Sequence, residues 1–573
     1  MDDAQAKQLV QETFRTDFDA ERFEHFAREL LDGLQVERKR SVVWKEYDEY
    51  IDHYELIGNY TDQARSTLEV IIVKLKRTRS RDLARTMQRN FIAKYLKTSN
   101  RDAALVAFYG DDPTDWRFSF VKLEYQLKKD GKKVKPVEEL TPGKRYSFLV
   151  GKNEPNHTCQ KQFLYLLKND SVKHSIEEIE TVFSIDKVTK EFFDEYKERY
   201  LELKETLDKI LEKDAKTRKE FEEKNIDTVD FAKKLLGQIV FLYFIQKKGW
   251  LGLGKDPETK KFYEWGKGPK DFIRRLFDGK MFSYDNFFND ILEPLFYDAL
   301  ATPDRQDDYY SPLKCKIPFL DGGLFEPINS YNWVEVRIPL PNKEFERILD
   351  TFDRFNFTVK EDEPLDKEVA VDPEMLGKVF ENLLEVKDRK SKGAFYTPRE
   401  IVHYMCQQSL INYLETNTEL SRKEIETFIQ DGNLGEVPTS IRKDYMKIDN
   451  LLKEIKIVDP AVGSGAFPVG MMSEIVKART QLTQFFDNDT QKNRTNYVLK
   501  RETVENCLYG VDIDSSAIEI AKLRFWLSLV VDEDDMDNVK PLPNLDHKLM
   551  VGNSLLEEFN GVKLFDDKLL GIT

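Results

Sequence analysis

The chain is 573 residues long and carries 89 Lys and Arg residues against 104 Asp and Glu residues, so its formal net charge is −15. At about 150 residues per domain, this length predicts three to four domains. The 40% hydrophobic and 12% aromatic content excludes a wholly disordered or fibrous chain. No apolar run approaches the roughly 18 residues of a membrane span, no secretion signal is visible, and the 4 cysteines show no CxxC spacing. We therefore expect a cytoplasmic protein with no membrane partner, no disulfide framework and no zinc site.

Residues 1–155 are expected to form an α/β domain. Val- and Ile-rich runs indicate buried strands, and alternation of bulky apolar with polar residues indicates a half-buried strand. The predicted elements are a helix at Glu21–Leu34, a strand at Thr67–Leu75, a helix at Ser80–Leu96, strands at Ala104–Tyr109 and Trp116–Tyr125, and a turn at Asp130-Gly131 that joins the last strand to one starting at Lys133.

A local excess of positive charge lies in this domain. Residues 70–101 contain ten Lys or Arg residues and a single Asp, which gives this window a charge of +9 inside a chain of −15. Arg81, Arg85 and Arg89 recur every four residues and would form one basic stripe on the predicted helix. Such a stripe predicts contacts to the phosphates of double-stranded DNA. The alternative is a solvated helix face that is paired with the many acids of the chain.

Residues 156–369 are expected to form a mainly helical connector domain. The segment Lys187–Leu253 is heavily charged and contains no proline. Within it, Phe231–Trp250 has apolar residues at spacings of one, three and four, which predicts a largely buried helix. Residues 254–345 mix helical patterns with loops and indicate no function.

Residues 370–573 show the alternation of a parallel α/β sheet. One strand ends at Asp459 and is followed by a glycine-rich turn and a helix. A second strand ends at Asp512, and a third precedes Gly552-Asn553-Ser554. This order is typical of a doubly wound sheet, in which ligands bind beyond the carboxyl ends of the strands.

The turn Asp459–Phe467 is the sharpest local feature of the sequence. Its two glycines, at 463 and 465, let the backbone approach a ligand closely. Pro468 stands where a dinucleotide fingerprint needs its third glycine, and the Gly-Lys-Ser/Thr of a phosphate loop is missing. The pattern therefore favours a cofactor other than NAD or ATP, with Asp512 placed to bind ribose hydroxyls. A purely structural turn is the alternative.

Four motifs in order carry a family resemblance: Gly393–Pro398, Asp459–Phe467, Gly510–Asp514 and Gly552–Ser554. The set resembles the γ-class adenine-specific N6 DNA methyltransferases, most closely the Eco57I-type branch of fused type IIG restriction–modification and phage-defence enzymes. The resemblance implies a Rossmann-like methyltransferase domain, incomplete in this chain, that uses S-adenosyl-L-methionine (SAM). It covers about residues 370–573.

The same resemblance implies roles for individual residues. The segment of Ala394, Phe395, Tyr396, Thr397 and Pro398 would cover the methionine part of SAM. The amino-acid moiety would be held by Asp459, Pro460, Ala461, Gly463, Ser464, Gly465 and Phe467. Asp512 would bind the ribose, Ile513 would lie against the adenine ring, and Asn553 stands where many relatives have an acid. The alternatives are that Phe395 and Tyr396 are core aromatics and that Asp514 only caps a helix, which we favour for Asp514.

One departure from the family is large. The chemistry of the family depends on Asn/Asp-Pro-Pro-Tyr/Phe, whose aromatic residue stacks on a flipped adenine, and this motif is not in the sequence. The region that reads the target DNA sequence is not seen either. We therefore expect a fragment, or a truncated or split gene product, that binds SAM but does not methylate DNA without a C-terminal catalytic part or a separate subunit.

Fused enzymes of this type usually begin with a nuclease-like domain. An Mg²⁺-dependent endonuclease needs two carboxylates on the metal and a lysine near the attacking water. The candidates are Asp62 and Glu69 as metal ligands, with Lys74. The usual Glu/Gln-x-Lys spacing is not met, so an active nuclease and a degenerate fold that only contacts DNA both stay open.

Three functional classes follow from the sequence. The first is an adenine N6 DNA methyltransferase module with a nuclease-like N-terminal domain. The second is a non-catalytic DNA-binding or scaffold subunit that keeps the cofactor fold. The third is a methyltransferase that acts on RNA or protein.

Overall fold

The computed structural model describes residues 1–76, 81–123, 127–130, 133–136, 143–168, 173–303, 305–320, 325–361, 365–383, 397–430, 437–533, 539, 545–556, 558–559 and 562–563. The α-helices are α1 Asp3–Phe14, α2 Ala20–Leu30, α3 Arg81–Ser99, α4 His157–Lys168, α5 Ile176–Val182, α6 Ile185–Lys213, α7 Ala215–Glu223, α8 Thr228–Lys247, α9 Phe272–Phe277, α10 Asn342–Phe352, α11 Pro373–Leu383, α12 Arg399–Asn417, α13 Arg422–Gln430, α14 Thr439–Lys443, α15 Tyr445–Glu454, α16 Ala466–Thr483, α17 Asn488–Asn493, α18 Asn496–Asn506 and α19 Ser515–Val530. The strands are β1 Gln35–Ser41, β2 Ile51–Thr61, β3 Thr67–Leu75, β4 Ala103–Tyr109, β5 Asp115–Lys122, β6 Leu127–Asp130, β7 Lys133–Pro136, β8 Lys144–Gly151, β9 Tyr309–Tyr310, β10 Cys315–Lys316, β11 Asp366–Glu368, β12 Ile457–Asp459, β13 Leu508–Asp512, β14 Leu549–Val551, β15 Glu558–Phe559 and β16 Val562–Lys563. The mixed α/β class predicted from the sequence is confirmed.

The chain forms two compact units whose boundaries differ from those predicted. The first unit contains residues 1–196 and 348–372, and the second contains residues 197–347 and 373–573. The segment expected to be a separate connector, residues 156–369, is therefore divided between the two units.

The first unit is built on a seven-stranded sheet in the order β1-β2-β3-β4-β5-β8-β11. Neighbouring strands are antiparallel except for the parallel pairs β3–β4 and β11–β8. Helix α3 packs one face of this sheet through Phe91, which lies in a cluster with Ile71 and Val106. On α1, Phe14 stacks on Phe118 of β5 with ring centroids 5.4 Å apart. Ring contacts of this kind allow a chain that is rich in Phe to bury its aromatic side chains.

The short strand β11 is fixed to this sheet by buried charges. Arg145 of β8 is fully buried, and its Nε and Nη2 donate to the two carboxylate oxygens of Asp366 at 3.0 and 2.8 Å. Glu368 accepts from Arg117 at 2.9 Å and pairs with Arg85 at 3.2 Å. Burial alone would raise the pKa of Asp366, but the neighbouring arginines hold it well below its usual range. Sequence reasoning could not find this pairing, because its partners are about 220 positions apart.

The hairpin predicted near residue 130 forms with different partners. Strands β6 and β7 pair with each other, Asp130 opposite Lys133, in a two-stranded sheet of their own. The preceding strand, expected at Trp116–Tyr125, ends at Lys122 and pairs with β4 and β8 instead. The interpretation of that strand as one arm of the hairpin was wrong, because both of its edges are already hydrogen-bonded, to β4 and to β8.

The second unit carries a three-stranded parallel sheet in the order β12-β13-β14. The strand ends at Asp459 and Asp512 are confirmed. The long connection between these two strands contains α16, α17 and α18. The predicted buried helix is α8, and it packs on α19 through Phe241 and Trp526, whose ring centroids are 5.0 Å apart. The helical segment around residue 240 is therefore part of the unit that holds the glycine turn.

Among the residues that the structure describes, none of the helices is long and apolar enough to cross a membrane.

Candidate cofactor site

Asp459 is the last residue of β12, and half of its carboxylate has no protein partner. Its Oδ1 accepts a hydrogen bond from the backbone N–H of Ala461 at 3.1 Å. Its Oδ2 is buried and accepts none. Burial and the nearby charge of Asp512 raise the pKa of Asp459 above its usual value, against the lowering by the Ala461 N–H. An acid in this state is stabilised by a ligand that brings a positive charge and an N–H donor.

The glycine turn after Asp459 has the backbone that its sequence predicts. Gly463 and Gly465 have φ of +52° and +84°, in the left-handed region that favours glycine. Gly465 immediately precedes α16, and a Cβ added to it would lie 3.1 Å from the Cβ of Ala521. The turn therefore needs glycine at 465 both for its dihedral angle and for its contact with α19.

Asp512 is fixed by backbone donors on both carboxylate oxygens. Its Oδ2 accepts from the N–H of Gly463 at 2.8 Å, and its Oδ1 accepts from the N–H of Asp514 at 2.9 Å. Asp514 in turn caps α19 by accepting from Ser516 at 2.9 Å, so the interpretation of Asp514 as a helix cap is confirmed. The two strand-end acids and the turn thus form one hydrogen-bonded constellation at the carboxyl edge of the sheet.

The loop after β14 lies against the same edge. The Ser554 hydroxyl donates to the carbonyl of Pro460 at 2.7 Å. Asn553 is exposed, and its Oδ1 accepts from the N–H of Leu555 at 3.0 Å. Ile513 is 55% exposed, unusual for an isoleucine next to a core strand. These residues border the acids with an apolar and amide surface.

The predicted methionine-covering segment is only partly described. Thr397 and Pro398 immediately precede α12, whereas Ala394, Phe395 and Tyr396 lie outside the described residues. Helix α12 packs on α16, where the Cys406 thiol lies 3.7 Å from the carbonyl of Phe467. Ser464 is 2% exposed, while Pro460 and Ala461 are exposed.

Two contacts on the turn were not predicted. Arg524 of α19 is 2% exposed and donates from Nη1 to the carbonyl of Ser464 at 3.0 Å. A Cβ added to Gly377 of α11 would lie 2.5 Å from the Ser464 Oγ. The sequence carried a signal for the first contact, because Arg524 lies in a largely apolar helical segment and a buried cation needs a partner. Gly377 gave no signal of its contact.

The two predicted metal ligands, Asp62 and Glu69, each bind another group of the protein. Asp62 accepts backbone bonds from Ser66 and Ile176 and is 7% exposed. Glu69 is 3% exposed and pairs with Arg101 at 3.0 Å. Lys74 lies five residues along β3 from Glu69, about 16 Å away and on the other face of the strand. No group of three or more potential metal ligands is found among the described residues, and a two-carboxylate site at Asp62 and Glu69 stays a prediction.

The predicted basic stripe on α3 is not displayed to solvent. The Arg85 side chain is 12% exposed and pairs with the acids of β11, and Arg89 is 4% exposed. The side chain of Arg81 lies outside the described residues. Because α3 lies on the sheet with this face inward, the expected phosphate-contacting surface is not formed by Arg85 and Arg89.

The known proteins that are similar in sequence to this chain are described as methyltransferases. No family model matches the chain. A protein described as a type II restriction enzyme and methyltransferase, from Methanocaldococcus jannaschii, is 30% identical over 355 residues, which is 58% of this chain and 28% of that protein. DNA methyltransferase A of Bacillus subtilis is 23% identical over 243 residues, 41% of this chain and 23% of its own length. The chain thus spans less than a third of either relative.

Solved structures give weaker likenesses. The type IIL restriction-modification enzyme MmeI in complex with DNA matches 64% of this chain and 40% of its own at 15% identity and a TM-score of 0.39. The DrdV–DNA complex matches 100% of this chain and 42% of its own at 13% identity and a TM-score of 0.28. Both TM-scores are below 0.5.

Proposed function

We propose that the unit containing residues 373–573 binds SAM and is the cofactor-binding part of an adenine-specific N6 DNA methyltransferase of a restriction–modification or phage-defence system. The observation that carries the proposal is the buried, unpartnered Oδ2 of Asp459 beside a pre-oriented Asp512. The four sequence motifs and the two sequence relatives support the same reading.

The charge of the constellation fits SAM. Asp512 is close enough for its charge to raise the pKa of Asp459. SAM carries an α-ammonium and a sulfonium, and a cation placed between these acids would relieve their repulsion. An uncharged or anionic ligand would not relieve this repulsion. NAD and ATP, which bring phosphates to this edge, are therefore disfavoured by the acids as well as by the missing motifs.

The remaining parts of the cofactor find matching chemistry. The first backbone N–H groups of α16 have no acceptor within the helix and would donate to the methionine carboxylate at the positive end of this helix. Asp512, with each oxygen already oriented by one backbone N–H, would accept from the two ribose hydroxyls. The exposed face of Ile513 would pack on the adenine ring. When bound, SAM supplies an electrophilic methyl group, and these residues hold it at the edge of the sheet.

Calorimetric titration of residues 1–573 with SAM tests the proposal, with Asp512→Ala as the variant. We expect saturable binding that the substitution weakens at least tenfold, because two ribose hydrogen bonds are lost. Well-folded protein that does not bind SAM would overturn the proposal and leave the scaffold class.

The substrate part of the proposal needs a separate assay. Labelled SAM is incubated with residues 1–573 and adenine-containing duplex DNA, RNA of the same sequence, or protein. Because Asn/Asp-Pro-Pro-Tyr/Phe does not occur in these residues, we expect no transfer from this chain alone. Addition of a polypeptide that carries the motif should restore transfer to DNA adenine, and restoration on RNA or protein instead would refute the assignment of substrate.

A further inference from the structure

The glycine turn is supported by one face of α19. Ala521 and Arg524 are three residues apart on this helix and so lie on the same face. Ala521 is fully buried and determines how closely the helix approaches Gly465. Arg524 donates to the carbonyl of Ser464 at 3.0 Å. The helix therefore contacts two consecutive residues of the turn.

A second helix approaches the same point. Gly377 of α11 leaves no room for a Cβ, which would lie 2.5 Å from Ser464 Oγ and 3.6 Å from Arg524 Nη1. Ser464 and Arg524 are each only 2% exposed. The peptide that follows Ser464 is consequently enclosed by α11 and α19.

We propose that Arg524 is a positioning residue for the amino-acid end of the cofactor, an inference that rests on the proposed SAM site. The carbonyl of the Ser464–Gly465 peptide is held by Arg524, and its N–H donates to the carbonyl of Val462 at 2.9 Å. With both ends held, this peptide plane cannot rotate. Its orientation sets the direction of the free N–H groups that open α16 at Ala466.

The buried guanidinium also acts through its charge. It is bound to the carbonyl of Ser464, two residues before the start of α16, where the helix dipole is already positive. The two effects favour the methionine carboxylate and leave the ribose and adenine contacts of Asp512 and Ile513 untouched. Arg524 is thus expected to affect one part of the cofactor only, which distinguishes positioning from general structural support.

The test compares two ligands on the full chain by calorimetry. SAM carries the amino-acid moiety, and 5′-methylthioadenosine has the same nucleoside without it. Arg524→Met keeps the length of the side chain and removes the donor and the charge. We expect this substitution to weaken the binding of SAM about 10- to 50-fold and to change the affinity for 5′-methylthioadenosine less than about threefold. Arg524→Lys, which keeps a donor and a charge, should recover most of the SAM affinity.

Gly377→Ala tests the same peptide with Arg524 in place, and it decides the question if Arg524→Met does not fold. Gly377→Ala should weaken the binding of SAM more than that of 5′-methylthioadenosine, because the added Cβ displaces Ser464. Equal weakening of both ligands, or no weakening of SAM, in the folded variants would overturn the inference while the SAM site stands. Failure of the unmodified chain to bind SAM would instead overturn the proposed function and, with it, this inference.

Discussion

Replacing Asp459 by Asn should increase the stability of the protein without ligand and should weaken its binding of SAM. Burial and Asp512 raise the pKa of Asp459 in the folded state, so the folded state binds its proton more tightly than the unfolded state. Stability from that proton is present at low pH and is lost as the pH rises through the folded pKa. At neutral pH the ionised carboxylate is therefore a cost, which the isosteric amide removes while it keeps the bond from Ala461.

The loss of affinity can be scaled from the geometry. A hydrogen bond to a charged group contributes about 1.5–3 kcal/mol, and 1.4 kcal/mol is a factor of ten. Loss of the ammonium contact at Oδ2 should therefore weaken SAM about 10- to 100-fold. Thermal unfolding without ligand should show a midpoint equal to or above that of the unmodified chain.

Calorimetric titration and thermal unfolding of the same preparations measure both effects. Asp514→Asn is the matched control, because it removes one nearby negative charge while Asn still caps α19, and it should change SAM affinity by less than about threefold. An Asp459→Asn variant that binds SAM like the unmodified chain, or that unfolds at a clearly lower temperature, would refute the reasoning.

The pH dependence has the same origin. Protonation of Asp459 removes the charge that attracts the ammonium, so SAM affinity should fall as the pH drops through its raised pKa. Asp459→Asn should show no such step. A step of equal size in both proteins would assign the titration to another group.

Four further substitutions test the packing. Asp366→Asn should destabilise the first unit by about 3–5 kcal/mol in urea unfolding, because it leaves the fully buried Arg145 without its charge partner; a loss below about 1 kcal/mol would contradict this. Trp526→Ala should cost about 3–5 kcal/mol, since the ring is 5% exposed and packs between helices, and an unchanged urea midpoint would contradict it. Gly510→Ala should lower the thermal midpoint, because an added Cβ would come within 2.7 Å of a valine side chain. Gly552→Ala should leave the midpoint unchanged, because its added Cβ would come no closer than 3.6 Å to any described residue other than its chain neighbours. Equal midpoints for the two variants would show that the valine side chain near Gly510 moves aside without cost.

Local pattern was enough to predict much of the second unit. The alternation of strand and helix and the positive φ angles of Gly463 and Gly465 follow from residue type and spacing, because they depend on neighbours in the chain. The acids that end β12 and β13 were found for the same reason, since parallel strands bring their carboxyl ends to one edge.

Tertiary structure alone decided which charged residues are available. Arg85 and Arg89 have the spacing of a basic stripe, yet the side of α3 that carries them turns inward, and Arg85 meets acids from β11. Spacing determines which residues share a face, but the packing of that face determines whether it meets solvent, a ligand or the core.

The site itself shows the same division. Asp459 and Asp512 can be read from the sequence, but the unpartnered Oδ2 of Asp459 and the contact of Arg524 on Ser464 depend on how α19 packs against the turn. That packing is a sum of many long-range contacts, each weak and none encoded by local spacing. The sequence by itself thus determined the acids and the glycines, and the tertiary structure determined which oxygen is left for a ligand.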